Sequence, residues 1–370
     1  MQTRARTAYE ILHRDTVAAV ISDQGAAELV QPRFLPYDLY LEEGDDFETR
    51  FNNAANFQHW CASRVLSLDR LHAKAILNAI GASQSPTDRD RAQISLSCHC
   101  VTLTDAHWVR EQGEQLSFAR INLYDHSLSD AVVELSLRGK ALTITNQELV
   151  TPMDLAHDLS THGLFPKAWI RKGDTFLLLK DGGADIVRRE LLASAICQCF
   201  DIPQVIYEEG IYSGEPISRS RIVTSKARSI VPMRAFEVRC DNEDLDYLQE
   251  VIRLDRVSYY GMNILDYLTG NTDRHMENWG LWVDNDTNEP ISLHPLMDFN
   301  QCFGAYDTLD GANCLTVGKR RISQRQAAIE AVQAIGLRQK REVDPVIFGT
   351  DTARAEMFRR RLAELRQYDV

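Results

Sequence analysis

An Asp, an Asn and a second Asp fall within one short stretch, Gly270 to Asn300 (GNTDRHMENWGLWVDNDTNEPISLHPLMDFN), at intervals that suit phosphoryl transfer. Asp273 and Asn278 are five residues apart. That is the D-x-x-x-x-N interval by which a phosphoryl-transfer loop separates the group that orients an attacking hydroxyl from a magnesium-binding amide. Asp298 then opens Asp298-Phe299-Asn300, where a second carboxylate for the metal is needed. Two hard oxygen ligands of this kind could hold Mg²⁺ against nucleotide phosphates. Taken alone, D-x-x-x-x-N is common and DNDTN is an ordinary surface turn; the order of loop, turn and second Asp favours a site.

The elements between these residues explain how they could meet. Trp279 to Val283 is a short aromatic and apolar run, Asp284 to Pro290 is dense in turn formers, and Ile291 to Met297 is apolar again. This is the pattern of a hairpin. An antiparallel hairpin returns the chain to its starting end, so Asn278 before the first strand and Asp298 after the second are expected side by side. The helical run Val257 to Leu268 (VSYYGMNILDYL), ended by Gly270, would deliver the loop.

GNTDRHMEN followed by HPLMDFN resembles the catalytic core of the HipA-like kinases, with a DRHxxN element also seen in the phosphoinositide 3-kinase-like group. In both groups His and Asp exchange order relative to H-R-D while the Asp-to-Asn interval is kept. The resemblance covers Thr151 to the C-terminus. It implies an α+β chain: a two-lobed, protein-kinase-like domain over 151–370 (N-lobe about 151–226, C-lobe about 227–370), preceded by an additional α+β domain over 1–150. The implied activity is transfer of the ATP γ-phosphate, with Mg²⁺, to Ser or Thr of a protein substrate. Asp273 would serve as base or orienter, and Asn278 and Asp298 would hold metal. Arg274 and His275 are expected to brace the loop rather than move protons.

From Thr151 the parts needed around a nucleotide follow in kinase order. Ser160, Thr161, His162 and Gly163 form the candidate phosphate loop, since small and hydroxyl residues let backbone N–H groups approach an anion. It is neither G-x-G-x-x-G nor a Walker A sequence. HipA-like proteins carry a Ser-containing loop here whose phosphorylation can switch the kinase off, and Ser160 or Thr161 holds that position. Lys167 to Lys172 and Thr175 to Lys180 read as a second hairpin turning at Gly173-Asp174. Lys180 closes the apolar strand where a kinase nucleotide lysine sits, with Lys167 and Lys172 as alternatives in another register. Asp185 to Phe200 is an amphipathic helix with Asp185 as expected N-cap, and Glu190 is a candidate ion-pair partner for Lys180. Val205 to Glu209 and Arg221 to Ser225 read as further strands, and Glu243 to Leu254 as another helix.

The 370 residues suit about two domains with real cores. A net charge of −12 argues against a nucleic-acid binder or a membrane-surface protein. No apolar run approaches the ~20 residues of a membrane span. MQTRARTAYEILHRD is charged rather than signal-like, so cytoplasm is the expected compartment. Eight cysteines are scattered. Cys98-His99-Cys100 lacks zinc-site spacing, and the alternation in SLSCHCVTL reads as part of a strand over Ala92 to Leu103. Thr16 to Ser22 is β-rich, Asn56 to Ser67 and Asp69 to Ile80 are helical, Ala131 to Leu137 is strand or helix, and Thr104 to Trp108 is a turn whose Trp anchors a small core.

After Asn300 the chain to Leu315 takes the place of an activation segment, with Tyr306, Thr308 and Thr316 as candidate phosphate acceptors that nothing in the sequence distinguishes from ordinary surface hydroxyls. Arg321 to Ile335 and Asp351 to Tyr368 are helical and locally basic, read as exposed faces balancing an acidic body. Two other functional classes fit these residues: a pseudokinase or nucleotide-binding interaction module without turnover, and a metal-dependent phosphohydrolase built from Asp273, His275 and Asp298, which would want further ligands. An antitoxin or other regulatory partner is a further expectation from the resemblance.

Overall fold

The computed structural model describes residues 7–369 apart from 67, 68, 81, 84, 85, 127, 129, 140–152, 154, 155 and 157–162. The chain divides into two compact units: residues 1–180 with 224–229 and 283–289, and residues 181–223, 230–282 and 290–370.

In the first unit β1 (Ala8–His13) and β2 (Thr16–Ser22) form an antiparallel hairpin. With β3 (Ala27–Leu29) and β4 (His107–Glu111) they make a sheet of order β3-β2-β1-β4. Ile11, Ala19, Ile21 and Val109 from its strands share a core with Phe57, Trp60 and Cys61 of α1 (Phe47–Ser63). The shorter helices α2 (Ala73–Ala79), α3 (Asp88–Ser97), α4 (Phe118–Ile121) and α5 (Asp130–Arg138) follow in the chain, and α3 adds Ala92 to this core. The ambiguous run at 131–137 is thus helix. Trp108 is fully buried, as expected of a core anchor, but it lies on β4 rather than in the expected turn; its indole N–H donates to Arg14 O at 2.5 Å.

The strand expected over Ala92 to Leu103 is instead α3 and the loop after it. The physical reason lies upstream: Thr87 and Asp90 form a reciprocal capping box that starts a helix at Asp88, and local capping outweighs a weak alternation. His99 and Cys100 then take left-handed backbone, with φ of 55° and 56°. Cys98 and Cys100 are buried, and the Cys100 thiol lies 3.8 Å from Cys61 Sγ.

Also in this unit, β5 (Lys167–Lys172) and β6 (Thr175–Lys180) pair antiparallel around Gly173, whose φ of +61° suits the two-residue turn.

In the second unit α6 (Ala184–Cys197) precedes an antiparallel hairpin of β7 (Tyr207–Tyr212) and β8 (Glu215–Arg221). The strand expected at Arg221 to Ser225 therefore ends where it was expected to begin: the pairing that decides strand bounds lies earlier. Gly183, not Asp185, occupies the cap of α6; the Asp185 carboxylate is engaged by Arg189 and Arg354.

Strand β9 (Arg228–Pro232) leads to α7 (Met233–Asn242) and the long α8 (Tyr247–Thr269). The two expected helices are one element bent at Asp255 (φ −149°), whose carboxylate accepts from Ser258 N at 3.0 Å and so restarts the helix. Strands β10 (Gly280–Asp284) and β11 (Glu289–Leu293) complete a sheet of order β11-β10-β9. Their turn is closed by Asp284, whose carboxylate accepts from Asp286 N (2.8 Å) and Thr287 N (3.1 Å). Helices α9 (Gln324–Ile335) and α10 (Thr352–Leu365) finish the unit. Among the described residues no helix is long and apolar enough to cross a membrane.

Candidate active site

The end of α8 is buried almost continuously from Ser258 to Thr269, which leaves the loop beyond it little freedom to move. Gly270 stops the helix with a left-handed φ of +62°, and a Cβ there would meet Arg361 and Met357 at 3.1 Å. The chain then turns back on itself: Asn271 N donates to Asp266 O at 2.9 Å, and Asn271 Nδ2 to Asp266 Oδ1 at 3.0 Å.

Arg274 locks the loop. Its side chain is buried, and Nε and Nη2 donate to the two carboxylate oxygens of Asp266 at 2.9 Å each. Burial alone would lower its pKa, but the Asp266 charge outweighs that and the net shift is upward, so the guanidinium stays charged. Nη1 donates to Asn278 O (2.8 Å) and Met297 O (2.5 Å). One guanidinium therefore ties Asn278 to the residue preceding Asp298. The hairpin brings the two stretches to the same end, where His294 N donates to Gly280 O at 3.0 Å.

Asp273 and Asn278 meet directly, since Asn278 Nδ2 donates to Asp273 O at 2.7 Å. That bond uses the amide nitrogen and leaves the amide oxygen as the group able to ligate a cation. Asp298 adopts left-handed backbone (φ +61°), its N–H donating to Tyr207 Oη at 3.1 Å and its Oδ1 accepting from Asn300 Nδ2 at 2.5 Å. Phe299, fully buried, stacks edge-on against Tyr207 and lies under Arg274, pinning Asp298 from its other side. A non-glycine residue in this conformation is backbone strain held by its surroundings, a pattern concentrated at functional sites.

Burial raises the pKa of Asp273. The charge of Asp298 raises it further, while His275, Arg274 and the Asn278 hydrogen bond act in the opposite sense. The negative charge of Asp298 is thus felt at Asp273, a repulsion that a cation between such carboxylates would relieve. His275 Nε2 lies 3.8 Å from Asp273 Oδ1, and its Nδ1 accepts from Glu277 N at 3.2 Å. His275 is half-exposed and attached to the loop's own backbone.

The other expected site residues fall as follows. Lys180 is buried at the end of β6 and is the direct cross-strand partner of Lys167, also buried; Lys172 lies at the exposed turn end. Gly163 (φ +101°) lies against Lys167, where a Cβ would stand 2.7 Å from Nζ. These residues belong to the first unit. Glu190 belongs to the second, buried on α6, where it accepts from the Ser218 hydroxyl. Ser160, Thr161 and His162 lie outside the described residues. Of the three hydroxyls after Asn300, Thr316 is not on the surface: it is buried and hydrogen-bonds Asn263.

Four contributors were not singled out in the sequence: Asp266, Asn271, Tyr207 and Asn300. Asp266 carried a usable signal, being an acid inside the apolar run NILDYL. Tyr207 carried none, because its hydroxyl reaches Asp298 from a hairpin distant in sequence.

No protein-family model and no curated protein sequence matches the chain. Solved structures do. HipA of the Shewanella oneidensis MR-1 toxin–antitoxin system, solved with HipB and operator DNA, is similar over 98% of this chain and 95% of its own, at TM-score 0.51 and 12% identity. The Helicobacter pylori proinflammatory kinase CtkA is similar over 55% of this chain and 88% of its own, at TM-score 0.42 and 15% identity. The likeness to HipA includes the part of the chain before Thr151, where the sequence carried no resemblance. The chain has the α+β fold of HipA.

Proposed function

We propose that the chain is an ATP- and Mg²⁺-dependent phosphotransferase that moves the γ-phosphate to Ser or Thr of a protein substrate. The observation that carries this reading is Arg274, which fixes Asn278 and the Met297–Asp298 peptide together beside Asp273. The donor set suits Mg²⁺: a carboxylate at Asp298 and an amide oxygen at Asn278, both hard oxygens, beside a second carboxylate whose pKa registers the first. When bound, Mg²⁺ would neutralise phosphate charge in this site.

Asp273 would accept a hydrogen bond from the acceptor hydroxyl and orient its lone pair in line with the transferred phosphorus. The Asp266–Arg274 pair holds that carboxylate in register without touching the reacting atoms. Lys180 would meet the α and β phosphates as a point charge, with Lys167 beside it across the strands as a second ammonium. Glu190 is proposed to pair with Lys180, and Ser160, Thr161, His162 and Gly163 to form the phosphate loop. The corresponding division into a nucleotide lobe over about 151–226 and a catalytic lobe over about 227–370 belongs to the same reading. So do a cytoplasmic location and regulation by an antitoxin-like protein, the latter supported by the presence of HipB in the HipA complex.

Calorimetric titration of ATP with and without Mg²⁺ tests the site. Metal-dependent binding that weakens about tenfold or more in Glu190→Gln is expected if the buried acid positions the nucleotide lysine. Unchanged affinity would remove Glu190 from the site, and no ATP binding in the wild type would end the phosphotransferase reading. Free phosphate released without protein labelling would assign a hydrolase instead.

A further inference from the structure

Between β3 and α1 the chain reads LEEGDDFETRF, which places Glu42, Glu43, Asp45, Asp46 and Glu48 within seven positions. All five are exposed. Phe47 and Phe51 lie one helical turn apart on α1, are 82% and 62% exposed, and stack on each other with ring centroids 6.1 Å apart. The core of this unit is served by other residues of the helix, Phe57, Trp60 and Cys61, so the two phenyl rings contribute nothing to it. Neighbouring aromatic side chains presented to water and rimmed by charge are the surface pattern of a protein-binding site.

The segment is also held in one shape. Asn53 clamps the acidic loop to α1: its Nδ2 donates to Glu42 O (2.7 Å) and Gly25 O (3.1 Å), and its Oδ1 accepts from Glu42 N (2.9 Å). Asp46 caps the helix by accepting from Thr49 N at 2.9 Å. Gly25 packs so closely that a Cβ there would fall 1.8 Å from Arg50 O. A surface already fixed loses little ordering entropy when a partner docks. The local cation, Arg50, spends its charge on Asp45 at 2.6 Å, and the field over the two rings remains strongly negative.

We propose that this face docks a cationic protein segment whose apolar side chain packs on the Phe47–Phe51 pair, with the acids steering its approach. A nucleic acid or an anionic membrane would be repelled. A second copy of the chain would bring the same acidic patch against itself in a two-fold contact, at a molecular charge of −12.

The test is a fluorescence-anisotropy titration of a labelled amphipathic Leu/Lys peptide with the full chain, repeated with an all-Lys peptide. Phe47→Ser/Phe51→Ser should weaken Leu/Lys binding roughly tenfold or more. Glu42→Gln/Glu43→Gln/Glu48→Gln should slow association and flatten the salt dependence. Neither variant touches Asn53 or the Asp46 cap, and unchanged thermal melts would confirm that both fold. Equal affinity of the wild type and both variants would overturn the proposal, as would equal affinity for the two peptides. Dimerisation of the free chain that disappears in Phe47→Ser/Phe51→Ser would overturn it in favour of a second copy as occupant. None of these outcomes depends on phosphotransfer.

Discussion

The Asp266–Arg274 pair is the residue on which the site's geometry turns. Both side chains are almost completely buried, so each charge was taken out of water and is sustained by the other. Arg274→Met should therefore destabilise the fold by about 3–5 kcal/mol, because it strands a buried carboxylate. Urea midpoints would measure this, and Arg274→Met/Asp266→Leu should recover part of the loss. A midpoint unchanged by Arg274→Met would show the pair to be dispensable. Asp298 has a separate role and a separate test. Asp298→Asn should raise the Mg²⁺ concentration needed for ATP binding while leaving metal-free affinity alone; an unaltered Mg²⁺ requirement would take Asp298 off the metal.

At the level of elements, the strand pair β10 and β11 carries Asn278 and Asp298 to one place, and its packing is tight. A Cβ at Gly280 would fall 2.1 Å from Val231 O of β9, which is backbone and cannot swing aside. Gly280→Ala should cost roughly 1–3 kcal/mol and lower ATP affinity with it; normal stability would show that β9 yields. This hairpin was legible in the sequence because turn chemistry and apolar runs agree over 279–297. The β5–β6 hairpin and the left-handed cap at Gly270 were legible for the same reason. Elements defined by distant pairing were not. Arg221 to Ser225 carries the composition of a strand, but β8 ends at Arg221 and its pairing with β7 ends at Ser220. The strand expected through Cys98 lost to a capping box a few residues upstream. Within the site, Asp273, Arg274, Asn278 and Asp298 stood out because their spacing is local. Asn300 bonds the carboxylate two residues before it within the same triplet, whereas Tyr207 acts through a contact that no local pattern announces. The basic tail follows the plainer expectation: Arg320 pairs with Glu330, Arg325 with Glu364 and Arg366 with Glu342, while Arg361 is buried and donates to the carbonyls of Tyr267, Tyr306 and Thr308.

For the whole molecule, buried neutral histidines set the response to acid. His13 Nε2 bonds Asn285 O at 3.0 Å, and its Nδ1 faces His107 Nε2 at 3.1 Å, an arrangement that suits two neutral rings. Burial lowers the pKa of His13. Burial and then the charge of His13 hold His107 at about 3, and burial holds His294 at about 4. Each folded value lies below the unfolded value of 6.5, so as pH falls the unfolded chain takes up protons first. Stability should be complete above about pH 6.5 and decline below it, by up to ~1.4 kcal/mol per pH unit for each histidine. Denaturant midpoints between pH 7.5 and 5 would show the decline, shallower in His13→Gln; a flat profile would contradict the burial of these rings as neutral groups.

The central claim concerns catalysis, and phosphate transfer from γ-labelled ATP with Mg²⁺ tests it most directly, comparing wild type with Asp273→Asn and locating the labelled residue by mass spectrometry. The arrangement of Asp273, Asn278 and Asp298 calls for label on Ser or Thr in the wild type and for its loss by roughly 10²–10⁴-fold in the variant, with ATP binding kept. Equal labelling by both proteins would contradict the role given to Asp273, and absence of both label and ATP binding in the wild type would contradict the phosphotransferase account as a whole.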